Sequence, residues 1–274
     1  MDWISRILAP TAFSPRCRDA VKYAAALACQ FRCELAILHV VSSPEAMKDE
    51  TLEQRKAELW TYLGSKCQNV TITRVVTEGD PAGQIVENAH TQAADLIVMA
   101  THAYGPFRRH LLGSVTAKVL HDVQCPVWTA PHTERPVDFE TVEFRRVLCA
   151  VDLVEGSAAV LEWASNFAQA FGATLAVVHV LPGSLLQLGG VYFDPEWRSQ
   201  AAKSVQEQIV RLPRAPGEIL VEIGNVPTTV SDVAARWKAD LLVIGRGGQP
   251  GIPGRLHTNA YAILRESPCP VVTI

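Results

Sequence analysis

The sequence predicts an α/β protein made of two copies of one unit, each an open five-stranded parallel sheet with helices on both faces. Three observations carry this. First, the 274-residue chain repeats itself: Arg6-Ile7-Leu8-Ala9-Pro10 returns as Arg146-Val147-Leu148-Cys149-Ala150, and the same offset carries Ala24 onto Ala164, Phe31 onto Phe171, Leu35 onto Leu175 and His39 onto His179. Farther along the offset lengthens, carrying Gly79 onto Gly224 and Asp95 onto Asp240, and it shortens by one residue at Cys125 and Cys269. A repeat this long means two copies of a domain, because solenoid periods are several-fold shorter. Second, within each copy strand-length apolar runs alternate with helix-like stretches, the order that gives parallel pairing through right-handed crossovers. Third, those runs are continuously apolar, which fits strands buried on both faces.

In the first copy, Ile4 to Ala9 reads as a short buried strand. Ser14-Pro15 then supplies an N-cap and a first-turn proline for an Ala-rich helix ending near Phe31. Glu34 to Val41 is the second strand. Glu45 to Cys67, rich in Glu, Lys, Gln and Leu, reads as a helix, and the β-branched alternation from Val70 to Val76 as the third strand. Gly79-Asp80-Pro81 opens a further helix that ends before Asp95. Leu96-Ile97-Val98-Met99 is strand four, followed by a polar loop from Ala100 to Leu112, a helix over Val115 to His121, and a last strand over Val127 to Thr129. The second copy repeats the strand set at 147–151, 174–181, 218–223, 241–244 and 271–273, with a helix near Glu196 to Leu212. The domains are therefore placed at residues 1–133 and 142–274, joined by a Pro-containing, charged linker at 134–141. The second copy departs from the first in a longer excursion at 181–195, rich in Gly and aromatic residues, which reads either as loop packing or as a lid or partner surface.

The composition excludes several classes of function. With 48% hydrophobic and 19% charged residues and a formal charge of −3, the chain is that of an ordinary globular protein with no global basic field for nucleic acid. No apolar run approaches the roughly 20 residues of a membrane helix, and Met1-Asp2-Trp3 does not open a signal peptide. The expected location is the cytoplasm. Seven scattered cysteines without a Cys-x-x-Cys pair read as buried reduced thiols rather than a metal or disulfide framework. No histidine pair has metal-ligand spacing.

In an open parallel sheet, ligands collect outside the carboxyl ends of the strands where the winding direction reverses. With the strand order 3-2-1-4-5 that point lies between strands one and four. In copy one it gathers Pro10, Thr11, Ala12, Val40, Met99, Thr101, Gly113, Ser114 and Val115. In copy two it gathers Ala150, Val151, Asp152, Val180, Ile244, Gly245, Arg246, Gly247, Gly248, His257, Thr258 and Asn259. A strand, a loop and a helix start in that order suit an anion, since the first N–H groups of a helix lack intrahelical partners. Asp152 reads equally as an N-cap or turn residue. His39 and His179 read as satisfied histidines at strand ends, Asp95 and Asp240 as structural, and Arg108, Arg109 and His110 as a solvated basic loop.

These residues carry a resemblance. Over nearly its whole length the chain resembles a tandem universal stress protein, a family whose domains are Rossmann-like and similar to the adenine nucleotide alpha hydrolases. The family's signature is Gly-x2-Gly-x9-Gly-Ser/Thr, with an Asp after strand one that reads adenine. Glycines let backbone N–H groups approach phosphate, the closing Gly-Ser/Thr places a helix start and a hydroxyl against it, and the Asp accepts from the base amine. In copy one the Asp position is Ala12 and the first two glycines are Ala100 and Ala103, while Gly113-Ser114 keeps its spacing. In copy two Asp152, Gly245 and Gly248 are present, and a loop one residue shorter puts His257-Thr258 where Gly-Ser stands in the family.

The resemblance implies a cytoplasmic stress-response sensor or adaptor that binds ATP or another adenine nucleotide, accompanied by Mg2+, chiefly in copy two. It implies no catalytic residue beyond slow ATP hydrolysis, packing of the copies through their last strands as a pseudo-dimer, and an unidentified protein partner, with homodimerisation of the whole chain left open. The rival reading is a nucleotide-free interaction scaffold in which both sites have decayed. An enzyme of the nucleotidyl-transfer type is the weaker third reading, because the His-rich adenylation motif is missing after strand one.

Overall fold

The structure, a computed structural model, describes residues 3–42, 54, 57, 70–101, 112–130, 142–153, 156–182, 195–209, 212, 215–247 and 258–274. The chain divides into two compact units, Met1–Val142 and Glu143–Ile274.

Unit one runs β1 (Arg6–Pro10), α1 (Pro15–Phe31), β2 (Glu34–Val41), β3 (Ile72–Glu78), α2 (Pro81–Thr91), β4 (Leu96–Ala100), α3 (Ser114–Asp122) and β5 (Val127–Ala130). All of its strand pairs are parallel: β1 lies between β2 and β4, β2 carries β3 outside it, and β4 carries β5. The order within the unit is therefore 3-2-1-4-5. Of the helix expected over Glu45 to Cys67, Gln54 and Ala57 are helical and the rest lies outside the described residues.

Unit two runs β6 (Arg146–Val151), α4 (Ser157–Phe171), β7 (Thr174–Pro182), α5 (Pro195–Ile209), β8 (Glu218–Gly224), α6 (Val226–Arg236), β9 (Leu241–Ile244), α7 (Thr258–Glu266) and β10 (Val271–Thr273). Here β6 pairs with β7 and β9, β7 with β8, and β9 with β10, all in parallel. The expected linker at 134–141 and most of the 181–195 excursion lie outside the described residues.

Local chemistry explains these boundaries. The Ser14 hydroxyl accepts from the Cys17 N–H and Pro15 sits in the first turn, so α1 starts there; Arg32 ends it in a left-handed conformation with its N–H on the Ala28 carbonyl. Buried Ala20, Ala24, Ala25 and Ala28 bring α1 close to the sheet. Unit two ends α4 on Gly172, the usual residue for a left-handed cap. From that helix Phe167 and Phe171 pack with Phe144 and with each other, ring against ring, at centroid separations of 4.5–5.2 Å. β4 is buried throughout and β2 over Leu35–Leu38, whereas β3 and β8 are half-exposed.

At the amino end of each sheet one carboxylate oxygen ties strands together. Asp95 Oδ2 accepts from the N–H of Ser5 at 2.7 Å and of Arg6 at 2.9 Å. Asp240 Oδ2 accepts from Arg145 N–H at 2.8 Å and Arg146 N–H at 2.9 Å. Both aspartates are thus structural clips remote from the carboxyl ends. Among the described residues, Cys17, Cys33, Cys149 and Cys269 are buried free thiols. Burial pushes the Cys33 and Cys269 thiols up to about 12 and raises Cys149 as well, so these groups stay protonated and unreactive.

Candidate functional site

The crevice of unit two forms where β6 stops. Val151 is the last residue of β6, and its carbonyl accepts from the ring Nδ1–H of His179 at 2.9 Å. A carbonyl only accepts, so this bond places the proton on Nδ1. The chain then turns through Asp152, which is exposed, and Leu153, which holds a left-handed φ of 63°. A branched-chain residue in that region costs roughly 1–2 kcal/mol, so the turn is enforced by its surroundings. The N-cap of α4 is Gly156, which makes no side-chain cap. Asp152 therefore does not serve as N-cap; its Oδ1 instead accepts from the hydroxyl of buried Ser157 at 2.9 Å.

On the other side of the switch point, Ile244 ends β9 and the backbone passes through half-buried Gly245, Arg246 and Gly247. A Cβ on Gly245 would lie 3.3 Å from Val160 Cγ2 of α4. A side chain there would press on α4, so glycine suits this close approach. Gly247 has φ of 64° and supplies the backbone turn. The Arg246 N–H donates to the Ile274 carbonyl at 3.2 Å, extending the ladder beside β10. Thr258 and Asn259 open α7 and are exposed, whereas Gly248 and His257 lie outside the described residues. Val180 and Ile244 are buried members of the sheet, and Ala150 is half-buried. The structure therefore brings Asp152, Ser157, Val160 and Gly245 together around the start of α4.

Unit one has the same backbone and different chemistry. Pro10 ends β1, buried Thr11 follows, and the Thr11 carbonyl accepts from His39 Nδ1–H at 2.8 Å, the twin of the His179 bond. Phe13, the counterpart of Leu153, also has a left-handed φ, 58°, and its N–H donates to Thr11 Oγ1 at 3.1 Å. Its buried ring lies 4.6 Å from the His39 ring. Ala12 stands where Asp152 stands, and Cys17 where Ser157 stands. Cys17, Ala20 and Ala100 form an apolar cluster that Ala12 and Tyr23 cover. Val40 and Val115 are half-buried, and Met99 is buried in β4. The N–H of Gly113, the N-cap of α3, donates to the carbonyl of buried Thr101 at 2.8 Å, and Ser114 is exposed at the first helical position. Ala103, Arg108, Arg109 and His110 lie outside the described residues.

Two features were not legible in the motif alone. One is Ser157, which touches the key carboxylate; its signal was that Asp152 and Ser157 become Ala12 and Cys17 together. The other concerns the first glycine. The motif sets this position against phosphate, and the structure adds a packing partner: Ala100 packs with Ala20, and Gly245 lies against Val160. Helix and loop have exchanged one bulk for another. Thr116, whose buried hydroxyl donates to the Ala100 carbonyl at 3.0 Å, further ties that loop to α3 in unit one.

No group of three or more His, Cys, Asp or Glu that could hold a metal occurs among the described residues, and no helix there is long and apolar enough to cross a membrane.

The sequence pattern of the universal stress protein family matches residues 4–131 and again residues 143–274. Universal stress protein A homolog 1 of Coxiella burnetii is 30% identical over 142 residues, covering 48% of this chain and 97% of that relative. A universal stress protein of Methanocaldococcus jannaschii is 34% identical over 142 residues, covering 44% of this chain and 79% of its own. Among solved structures, a universal stress protein from Archaeoglobus fulgidus superposes with a TM-score of 0.69 at 20% identity, covering 98% of this chain and 95% of its own. A functionally unknown protein from Pseudomonas aeruginosa superposes with a TM-score of 0.72 at 18% identity, covering 100% and 93%. At these identities the structural likeness speaks for the fold. The family pattern itself is met twice, once in each unit and across almost all of the sequence, and the chain belongs to the universal stress protein family.

Proposed function

We propose that this protein is a cytoplasmic sensor or adaptor of the stress response that binds an adenine nucleotide, ATP or a related one with its Mg2+, in unit two. The observation that carries the reading is Asp152, an exposed carboxylate at the switch point with one oxygen fixed by a buried hydroxyl. A carboxylate so placed accepts from the exocyclic amine of adenine, while the Gly245–Gly247 turn and the start of α7 lie where the phosphates would run. Unit one lacks the carboxylate and fills the same place with Ala12, Cys17, Ala20, Ala100 and the Phe13 ring. We therefore assign the nucleotide to unit two and leave unit one as the apolar half. The proposed role is binding and signalling.

The rival, a nucleotide-free scaffold, draws on one observation: the packing against Val160 gives Gly245 a reason to exist without any ligand. Calorimetric titration with ATP, ADP and AMP in the presence of magnesium separates the two. Nucleotide binding to the wild type, weakened about ten- to a hundredfold in Asp152→Ala, is the expected result for a lost charge-assisted hydrogen bond. No binding to nucleotide-free wild type would favour the scaffold, and equal binding by the variant would remove Asp152 from the site.

A further inference from the structure

We draw no further inference here: the strongest candidate, the half-exposed apolar run of Ile219, Leu220, Val221 and Ile223 along β8, the strand outside β7 in unit two, carries nothing because nothing in the structure shows what covers it.

Discussion

At the scale of single residues, unit two is distinguished by where its carboxylates sit. Asp152 and Asp240 occupy opposite ends of the same sheet, and geometry gives them different duties. Asp240 uses one oxygen to accept two backbone N–H groups, from Arg145 and Arg146, as Asp95 does for Ser5 and Arg6. Asp240→Ala should lower stability by about 1.5 kcal/mol, the low end for hydrogen bonds to a charged acceptor at an exposed site, read as a shift in the urea midpoint with an unchanged slope. Asp240→Asn should keep most of that stability, since a single amide oxygen can accept both bonds. Neither change should alter nucleotide affinity; a variant that lost affinity in step with stability would mean that the two ends of the sheet are coupled. That these aspartates are structural was legible in the sequence, because each precedes strand four and so falls at the end away from the crevice; the pair of N–H bonds to one oxygen was not. The Ser157 contact was not, because an i to i+5 side-chain bond depends on the turn that Leu153 makes in its left-handed conformation.

At the scale of elements, helix and loop are matched in bulk within each unit. In unit two a glycine after β9 faces Val160 of α4; in unit one Ala100 at the end of β4 shares a cluster with Ala20 of α1. Gly245→Ala should cost about 1–2 kcal/mol, because a Cβ 3.3 Å from Val160 Cγ2 forces a shift in a close-packed contact. Adding Val160→Ala should recover part of that cost, giving a favourable coupling energy in a double-mutant cycle. Purely additive losses would show that Gly245 is held by something other than this contact. Pattern reasoning found the elements well: α1 through Ser14-Pro15, β2 through its unbroken apolar run, β9 and β10 at their observed limits. It set β3 two residues early, at Val70 rather than Ile72, since a β-branched run does not mark where ladder pairing with β2 begins. The closeness of the first signature glycine to Val160 was not legible, because the partner across a helix–loop interface cannot be seen from spacing.

At the scale of the whole molecule, the chain carries one family fold twice and has let the two copies diverge at their switch points. The repeated fold was legible because Arg6, His39, Asp95 and their counterparts Arg146, His179 and Asp240 serve the same backbone geometry in both units. Each histidine holds a carbonyl at the carboxyl end of the first strand of its unit, and each aspartate clips the amino end. The divergence was legible only as residue identities; its physical meaning, an exposed hydroxyl-held carboxylate in one unit against a packed apolar cluster in the other, needed the side chains in place. That asymmetry makes the stoichiometry of nucleotide binding the decisive quantity. Titration of nucleotide-free full-length protein with ATP and magnesium should saturate at a single nucleotide per chain, and Asp152→Ala should weaken that site while Ala12→Ser leaves it unchanged. Saturation at two nucleotides per chain, or a site that survives Asp152→Ala at full affinity, would contradict the assignment of binding to unit two.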